Sequence, residues 1–146
     1  MSDKEDSFVS QVRRNAVALI SLIVAVSSLS YNTWRNEKTE SNRNHRVAAF
    51  EVLMKLGELE QVVFLHHYDR DVADRGNPRV GWSYVLTIRD LTGLLPPPLP
   101  QEGENLVGVW GSNWETLETD KVSLDAILAT IEVTRADMLE LLHSLE

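Results

Sequence analysis

The hydrophobic positions of this 146-residue chain form one continuous apolar stretch followed by several segments with helical spacing. The continuous stretch covers residues 15–34, contains no charged side chain and is followed directly by Arg35. A helix of that length rises about 30 Å, which matches the hydrocarbon core of a bilayer. Tyr31 and Trp34 stand near its end, where aromatic rings favour the headgroup level. The pattern predicts a transmembrane helix over residues 15–34, after a short polar tail of residues 1–14.

A cleaved signal peptide is the main competing interpretation of the same stretch. Its strictly apolar part, residues 16–26, is as short as a signal-peptide core. Against cleavage, acidic residues precede the stretch, and its small-x-small site, Ser28-Leu29-Ser30, matches Ala-x-Ala poorly. These features favour a retained anchor, and a helix buried within protein is the third alternative.

One face of the predicted anchor carries small and polar side chains. Steps of three and four residues connect Ala18, Ser21, Ala25, Ser28 and Asn32. Small side chains let transmembrane helices approach closely, and hydroxyl or amide groups hydrogen-bond between them. We predict a packing face toward a partner helix or a second copy. The alternative, in which each hydroxyl bonds the backbone of its own helix, stays open.

The polar segment that follows, residues 35–46, contains no apolar side chain and is predicted to continue the helix as a stalk. A flexible tether is the alternative, because Asn, Ser and Thr compete for backbone hydrogen bonds. Basic residues are almost equal in number on the two sides of the anchor, so they orient it weakly. The adjacent Arg13 and Arg14 favour a cytoplasmic N-terminus, hence an inner (cytoplasmic) membrane protein with a periplasmic C-terminal domain. A cytoplasmic domain is the alternative.

Residues 47–146 show the spacing of amphipathic helices, with apolar side chains at steps of three and four. The four stripes are Ala49, Val52, Leu56, Leu59 and Val63, flanked by Phe50 and Leu53; Val80, Tyr84, Ile88 and Leu91; Leu106, Trp110, Trp114 and Leu117; and Leu124, Ile127, Ile131, Met138, Leu141 and Leu145. The predicted fold is therefore all-α: a single transmembrane helix that continues into a helical stalk, then a small bundle of about four helices.

Capping and turn residues set the expected helix boundaries. Asn77 and Pro78 suit the start of the second helix, and Gly93 suits its end. Asp120 or Ser123 is placed to cap the last helix. The second segment also has the Val, Tyr and Ile content of a strand, but helix is favoured because no partner strand is apparent.

Two features of the domain suggest partner binding. Pro96, Pro97, Pro98 and Pro100 predict an extended polyproline II segment, which acts as a rigid connector or as a ligand for an aromatic groove. Trp110 and Trp114 lie one helical turn apart. Such a pair anchors a core, or forms a binding hot spot if it is exposed.

Composition narrows the possible functions. The net charge of −8 comes from the residues after position 34, and an acidic domain does not favour nucleic acid as a partner. The chain has no Cys, which excludes disulfides, thiolate metal sites and thiol catalysis. No phosphate loop or serine-nucleophile motif is present in the sequence, and no catalytic residue or cofactor is predicted.

A cluster of polar residues, His66, His67, Asp71 and Asp74, is the one candidate for chemistry. In a helix, His67 and Asp71 are one turn apart, and imidazole with carboxylate can bind a divalent metal or act as a base. The spacing matches no established zinc signature, and a polar, salt-bridged helix end is the commoner meaning.

The sequence favours a membrane-anchored interaction protein, a scaffold or accessory component that docks another membrane protein or a second copy of itself. One alternative is a membrane-tethered metal-binding or hydrolytic domain that uses the His66 to Asp74 cluster. A second is a structural spacer. An enzyme is less favoured than a binding protein, and a small-molecule ligand is left open.

Overall fold

The computed structural model describes residues 2–70 and 73–145, with side chains for residues 10–11, 13–70 and 73–145. The described residues form four α-helices and no strand: α1 (Ser2–Asp69), α2 (Pro78–Thr92), α3 (Leu99–Asn113) and α4 (Lys121–Ser144). The all-α prediction is confirmed for this part of the chain. The segment 35–46 lies within α1 and is helical.

The chain divides into two compact units, Met1–Ser41 and Asn42–Glu146, and the division falls within α1. In the first unit every described side chain is exposed to solvent. It contains the long apolar stretch near the N-terminus, and this is the one helical segment of the described residues that is long and apolar enough to cross a membrane.

The second unit has one hydrophobic core to which the last part of α1 and the other three helices contribute. The predicted stripe of α1 is fully buried, and so are the central apolar residues of α3 and α4. These core residues include Ala49, Val52, Leu56, Leu59, Val63, Leu106, Trp110, Ile127, Ile131 and Met138. Burial of each large apolar side chain contributes about 1.5–3 kcal/mol, which makes this core the main source of stability of the unit.

The predicted caps are confirmed at both helix starts. The Asn77 side chain accepts a hydrogen bond from the backbone N–H of Arg79 at 3.0 Å, and Pro78 occupies the first turn of α2. The Asp120 carboxylate accepts from the backbone N–H groups of Val122 and Ser123 at 3.0 and 3.2 Å. Each cap satisfies backbone donors that a helix start leaves without partners.

The buried face of α2 differs from the predicted one. The buried positions are Gly81, Val85, Ile88 and Thr92, whereas Val80 is exposed and Tyr84 and Leu91 are only partly buried. The reason is the close approach of α3. A Cβ atom added at Gly81 would overlap the ring of Trp110, and one added at Gly103 of α3 would overlap Thr92. Small residues therefore define this face.

The predicted polyproline II segment is wrong. The Pro97–Pro98 peptide bond is cis and the chain turns there, while Pro100 already lies in the first turn of α3. Proline is compatible with a first helical turn because that position needs no backbone N–H donor. The helix also ends earlier than the predicted stripe, at Asn113, so Leu117 reaches the core from the following turn.

Candidate interaction surfaces

The apolar stretch of α1 is the largest exposed hydrophobic surface of the first unit. Its side chains are each more than half exposed, and they include Val17, Leu19, Ile20, Leu22, Ile23, Val24, Val26 and Leu29. Soluble monomers rarely leave contiguous apolar surface of this extent in water. At its C-terminal end the rings of Tyr31 and Trp34 lie 6.1 Å apart, and the Lys38 ammonium lies 5.7 Å from the Trp34 ring centre. This end combines the aromatic and basic groups that suit a headgroup layer.

The five residues of the predicted membrane packing face all lie on the exposed surface of α1: Ala18, Ser21, Ala25, Ser28 and Asn32. The Ser21 hydroxyl donates to the carbonyl of Val17 at 2.8 Å, one turn back in the same helix. This is the hydrogen bond expected if the hydroxyl groups of this face bond the backbone of their own helix and not a partner helix. The packing face remains a prediction.

The residues of the proposed metal cluster are placed differently from one another. His66 is 5 % exposed and belongs to the core face of α1, and its Nδ1 has no hydrogen-bond partner among the described residues. The Nδ1–H of His67 donates to the carbonyl of Leu117 at 2.7 Å. Asp71 lies outside the described residues, and Asp74 is exposed. The described part of the chain contains no group of three His, Asp or Glu side chains able to hold a metal ion.

The candidate partner-binding tryptophans lie inside the domain or at its edge. Trp110 is fully buried. Trp114 is half-buried, and its ring meets that of Trp82 edge-on with the ring centres 6.4 Å apart. The indole of Trp110 therefore serves the packing of α3 on α2. Among the tryptophans of the second unit, Trp114 and Trp82 are partly exposed and accessible to a partner.

The proline run lies at the surface. Pro97 and Pro98 are exposed, whereas Pro96 and Pro100 are half-buried. Pro96, Pro97 and Pro98 form one wall of a groove of about 280 Å³, and Asp137, Glu140 and Leu141 of α4 form the other. The residues of the run therefore contribute to a shallow surface, but not in the extended form that proline-binding grooves recognise.

A second apolar face of α1, which the sequence reasoning missed, lies on the surface of the second unit. We call it the outer stripe: Val47, Phe50, Met54, Gly57, Gln61, Phe64 and Tyr68. All seven are exposed, and the large side chains stay 40–65 % accessible. The rings of Phe64 and Tyr68 stack with their centres 6.0 Å apart. Successive members are three or four residues apart, so the stripe follows one side of the helix.

The sequence contains the signal for this stripe. Within residues 47–68, two sets of positions at steps of three and four are offset by two residues, or about 200° around the helix, and both are mainly apolar. The set that begins at Ala49 is buried, and the set that begins at Val47 faces away from the core. Phe50 was assigned to the edge of the buried stripe, but its side chain is 58 % exposed. A separate heptad count starting at Val47 would have detected the second face.

Charged side chains border the outer stripe. On one edge, the Lys55 ammonium lies 2.7 Å from Glu58 Oε2 and 3.9 Å from Glu51 Oε1. The hydrogen bond to Glu58 raises the pKa of Lys55 above its ordinary value, so the lysine stays charged. On the other edge, Glu60 forms an ion pair with Arg135 of α4 at 2.6 Å. The Lys55 pairs lie within α1, whereas the Glu60–Arg135 pair joins α1 to α4. None of them covers the apolar side chains of the outer stripe.

No protein-family model matches the chain, and neither a curated protein nor a solved structure is significantly similar to it. The surfaces described above are therefore the features of the molecule that bear on its function. Of these, the apolar stretch and the outer stripe are extended exposed hydrophobic surfaces, which are typical of sites that contact a membrane or another protein.

Proposed function

We propose that this protein is a single-pass, membrane-anchored helical interaction protein, a scaffold or accessory component. Its anchor is residues 15–34, and its helical domain docks another membrane protein or a second copy of the chain. The observation that supports this most directly is the exposure of the whole apolar stretch of α1. Transfer of such side chains from water to an apolar medium is favourable by about 25 cal/mol per Å².

The proposed location is the inner (cytoplasmic) membrane, with the domain in the periplasm. Arg13 and Arg14 precede the stretch on the side expected to remain in the cytoplasm. Lys38 and Trp34, which contact each other at the opposite end, would then lie at the headgroup level of the other leaflet. A C-terminal reporter that is active in only one compartment tests this orientation, and activity of a cytoplasmic reporter would reverse it.

Alkaline extraction of membranes that contain the full-length chain tests the anchor. The wild type should stay in the membrane pellet with its N-terminal segment intact. Replacing Ile20 and Ile23 by Arg should release the protein, because each Arg at the centre of a transmembrane helix costs about 2.5–3.5 kcal/mol. The matched control places Arg at Ala129 and Ala136, two exposed positions of α4. Release of the wild type, or a mature chain that begins at Tyr31, would refute the proposal.

The docking part of the proposal is tested by association in a mild detergent. If the face containing Ser21 and Ser28 packs against a partner helix, Ser→Leu changes at both positions should abolish association, since larger side chains separate the helices. Ser27 and Ser30 lie on the other side of the same helix and receive the same changes as the control. Equal association of both double variants would remove this face from the proposal.

A further inference from the structure

We propose that the outer stripe is a dimerisation face, which pairs in parallel and in register with the same stripe of a second copy. This inference depends on the proposed function, because it names the partner of the docking domain. The surface is the set already defined: Val47, Phe50, Met54, Gly57, Gln61, Phe64 and Tyr68. All of its members are exposed on α1, opposite the face that the core buries.

The spacing of the stripe identifies a helix as the partner. Its residues alternate steps of three and four over three heptads, the pattern of the a and d positions of a coiled coil. A straight helix drifts by only about 20° per heptad from this repeat, so the seven residues stay on one side. Side chains in such a row fit as knobs into the holes of a facing helix with the same repeat.

The size of the surface is sufficient for a weak specific dimer. Aromatic side chains bury about 150–250 Å² when they are fully covered. Five large side chains that are roughly half exposed therefore offer about 500 Å² per copy, or about 1,000 Å² for the pair, near the lower limit of specific interfaces. Anchoring in one membrane raises the local concentration of the two copies and strengthens association without new contacts.

The edge charges favour a second copy in parallel orientation. With Val47 and Phe50 as the first a and d positions, Arg46 and Glu51 occupy g and e positions. In a parallel dimer the g residue of one helix meets the following e residue of the other, so Arg46 would lie beside Glu51 of the second copy. Arg46 donates to the carbonyl of Leu145, and its guanidinium has further N–H donors available. Two chains with the same membrane topology also favour a parallel arrangement.

Gln61 supplies an independent reason for self-pairing. It occupies an a position within the apolar row, and its Oε1 accepts from Arg75 at 3.0 Å. Facing its own counterpart, each amide NH₂ can donate to the other amide oxygen, as polar residues at a positions do when they fix register. Against an apolar partner surface, the NH₂ group of the same amide would lose its water without a replacement, at a cost of about 1–3 kcal/mol.

The bilayer surface fits the stripe less well than a second copy. Glu51 and Glu58 border one side of the stripe and Glu60 the other. Anionic headgroups repel carboxylates and attract Lys and Arg, which are the usual neighbours of an apolar face that lies on a membrane. The basic residues along the stripe are Arg46 at its start and Lys55, and Lys55 is already paired with Glu58 and Glu51.

The absence of Cys in the chain permits a direct test by single-cysteine crosslinking in native membranes. Met54→Cys and Phe64→Cys are the test variants of the full-length protein, and Ala129→Cys, exposed on α4, is the control. Under a mild oxidant both stripe variants should form disulfide dimers several-fold more than the control, because a disulfide needs the two Cβ atoms about 3.5–4.5 Å apart. An antiparallel pair cannot bring both positions next to their own counterparts.

A charge series on the same stripe distinguishes this face from the anchor. Phe50→Glu with Phe64→Glu should weaken self-association at least tenfold, while Val133→Glu with Leu139→Glu, on exposed α4 positions, should not. Near-ultraviolet circular dichroism that matches the wild type would verify that each variant is folded.

Loss of dimers in the Ser21 and Ser28 variants alone would place self-association in the anchor and overturn this inference, but it would leave the proposed function intact. Absence of crosslinks at both Met54→Cys and Phe64→Cys overturns it as well, in favour of a different partner or lipid. Extraction of the wild type from the membrane would refute the proposed function instead.

Discussion

Replacement of Gly81 by Ala is the most demanding test of the packing between α2 and α3. A Cβ atom at this position would overlap Cζ2 and Cη2 of Trp110. Trp110 is fully buried and cannot rotate into solvent without emptying the core. In an exposed helix the same change would raise the free energy of unfolding by about 1 kcal/mol through helix propensity. Overpacking a filled core costs about 1–3 kcal/mol. Because the overlap involves a rigid ring, we expect a net loss of about 2 kcal/mol.

Gly108 provides the matched control within the same pair of helices. It is exposed in the middle of α3, and a Cβ atom added there has no neighbouring atom within 4 Å. Gly108→Ala should therefore raise the free energy of unfolding by up to about 1 kcal/mol. The two glycine variants should differ by about 3 kcal/mol and in opposite directions from the wild type.

The assay is urea unfolding of the full-length chain in a mild detergent, followed by tryptophan fluorescence. A third variant, Trp110→Phe, removes the outer indole ring that the new Cβ atom would meet. In this background Gly81→Ala should cost at least about 1 kcal/mol less, since coupling between contacting residues is about 0.5–3 kcal/mol. If Gly81→Ala is as stable as Gly108→Ala, or if the Trp110→Phe background changes nothing, the proposed close approach of α2 and α3 is incorrect.

Two further predictions concern the helix start at Asp120 and the buried His66. Hydrogen bonds from the Ser123 hydroxyl and from the backbone N–H of Val122 lower the pKa of Asp120, so its stabilisation is present above the ordinary carboxyl pKa and is lost as the pH falls through the folded value. Asp120→Ala should lower the urea midpoint at neutral pH, and the difference from the wild type should shrink below about pH 4; a pH-independent difference would contradict this. His66→Leu should leave the free energy of unfolding unchanged or raise it by about 1 kcal/mol, because the buried Nδ1 of His66 has no hydrogen-bond partner within residues 2–70 and 73–145; calorimetry that found a loss above about 2 kcal/mol would count against this.

The helices were predictable where local signals and burial agree. Asn77 and Asp120 mark helix starts because a side-chain oxygen must satisfy the first backbone donors. The stripe from Ala49 to Val63 was predictable because its apolar residues recur at steps of three and four and no proline interrupts it. The face of α2 was not, because periodicity weights large apolar residues, whereas the packing there is set by Gly81 against Trp110. A contact between residues on two different helices leaves no local pattern in the sequence of either one.

Of the candidate surfaces, too, one could be predicted from the sequence and another could not. The long uncharged stretch is visible in the sequence because its length and composition are those that a helix needs to cross a bilayer. The outer stripe was not recognised, since apolar periodicity reveals that a face needs a partner without revealing which of two faces the core takes. The turn at Pro97 and Pro98 was missed for a related reason: Leu95 and Leu99 are both buried, and they anchor the two ends of the proline run to the core.

The two opposite apolar faces of α1 restrict how residues 47–68 can diverge among relatives of this chain. A helix with one buried face can exchange most of its outward residues freely. If the outer stripe pairs with a second copy, the freely exchangeable positions of residues 47–68 are confined to the edge that contains Lys55, because Glu60 on the other edge is paired with Arg135. Insertion or deletion of a single residue in this segment would rotate the part of the helix after it by about 100° relative to the part before it. The residues on the two sides of the change could then no longer face the same core. Length changes should therefore accumulate in the turn before α2, and substitutions should concentrate on the outward positions of α4.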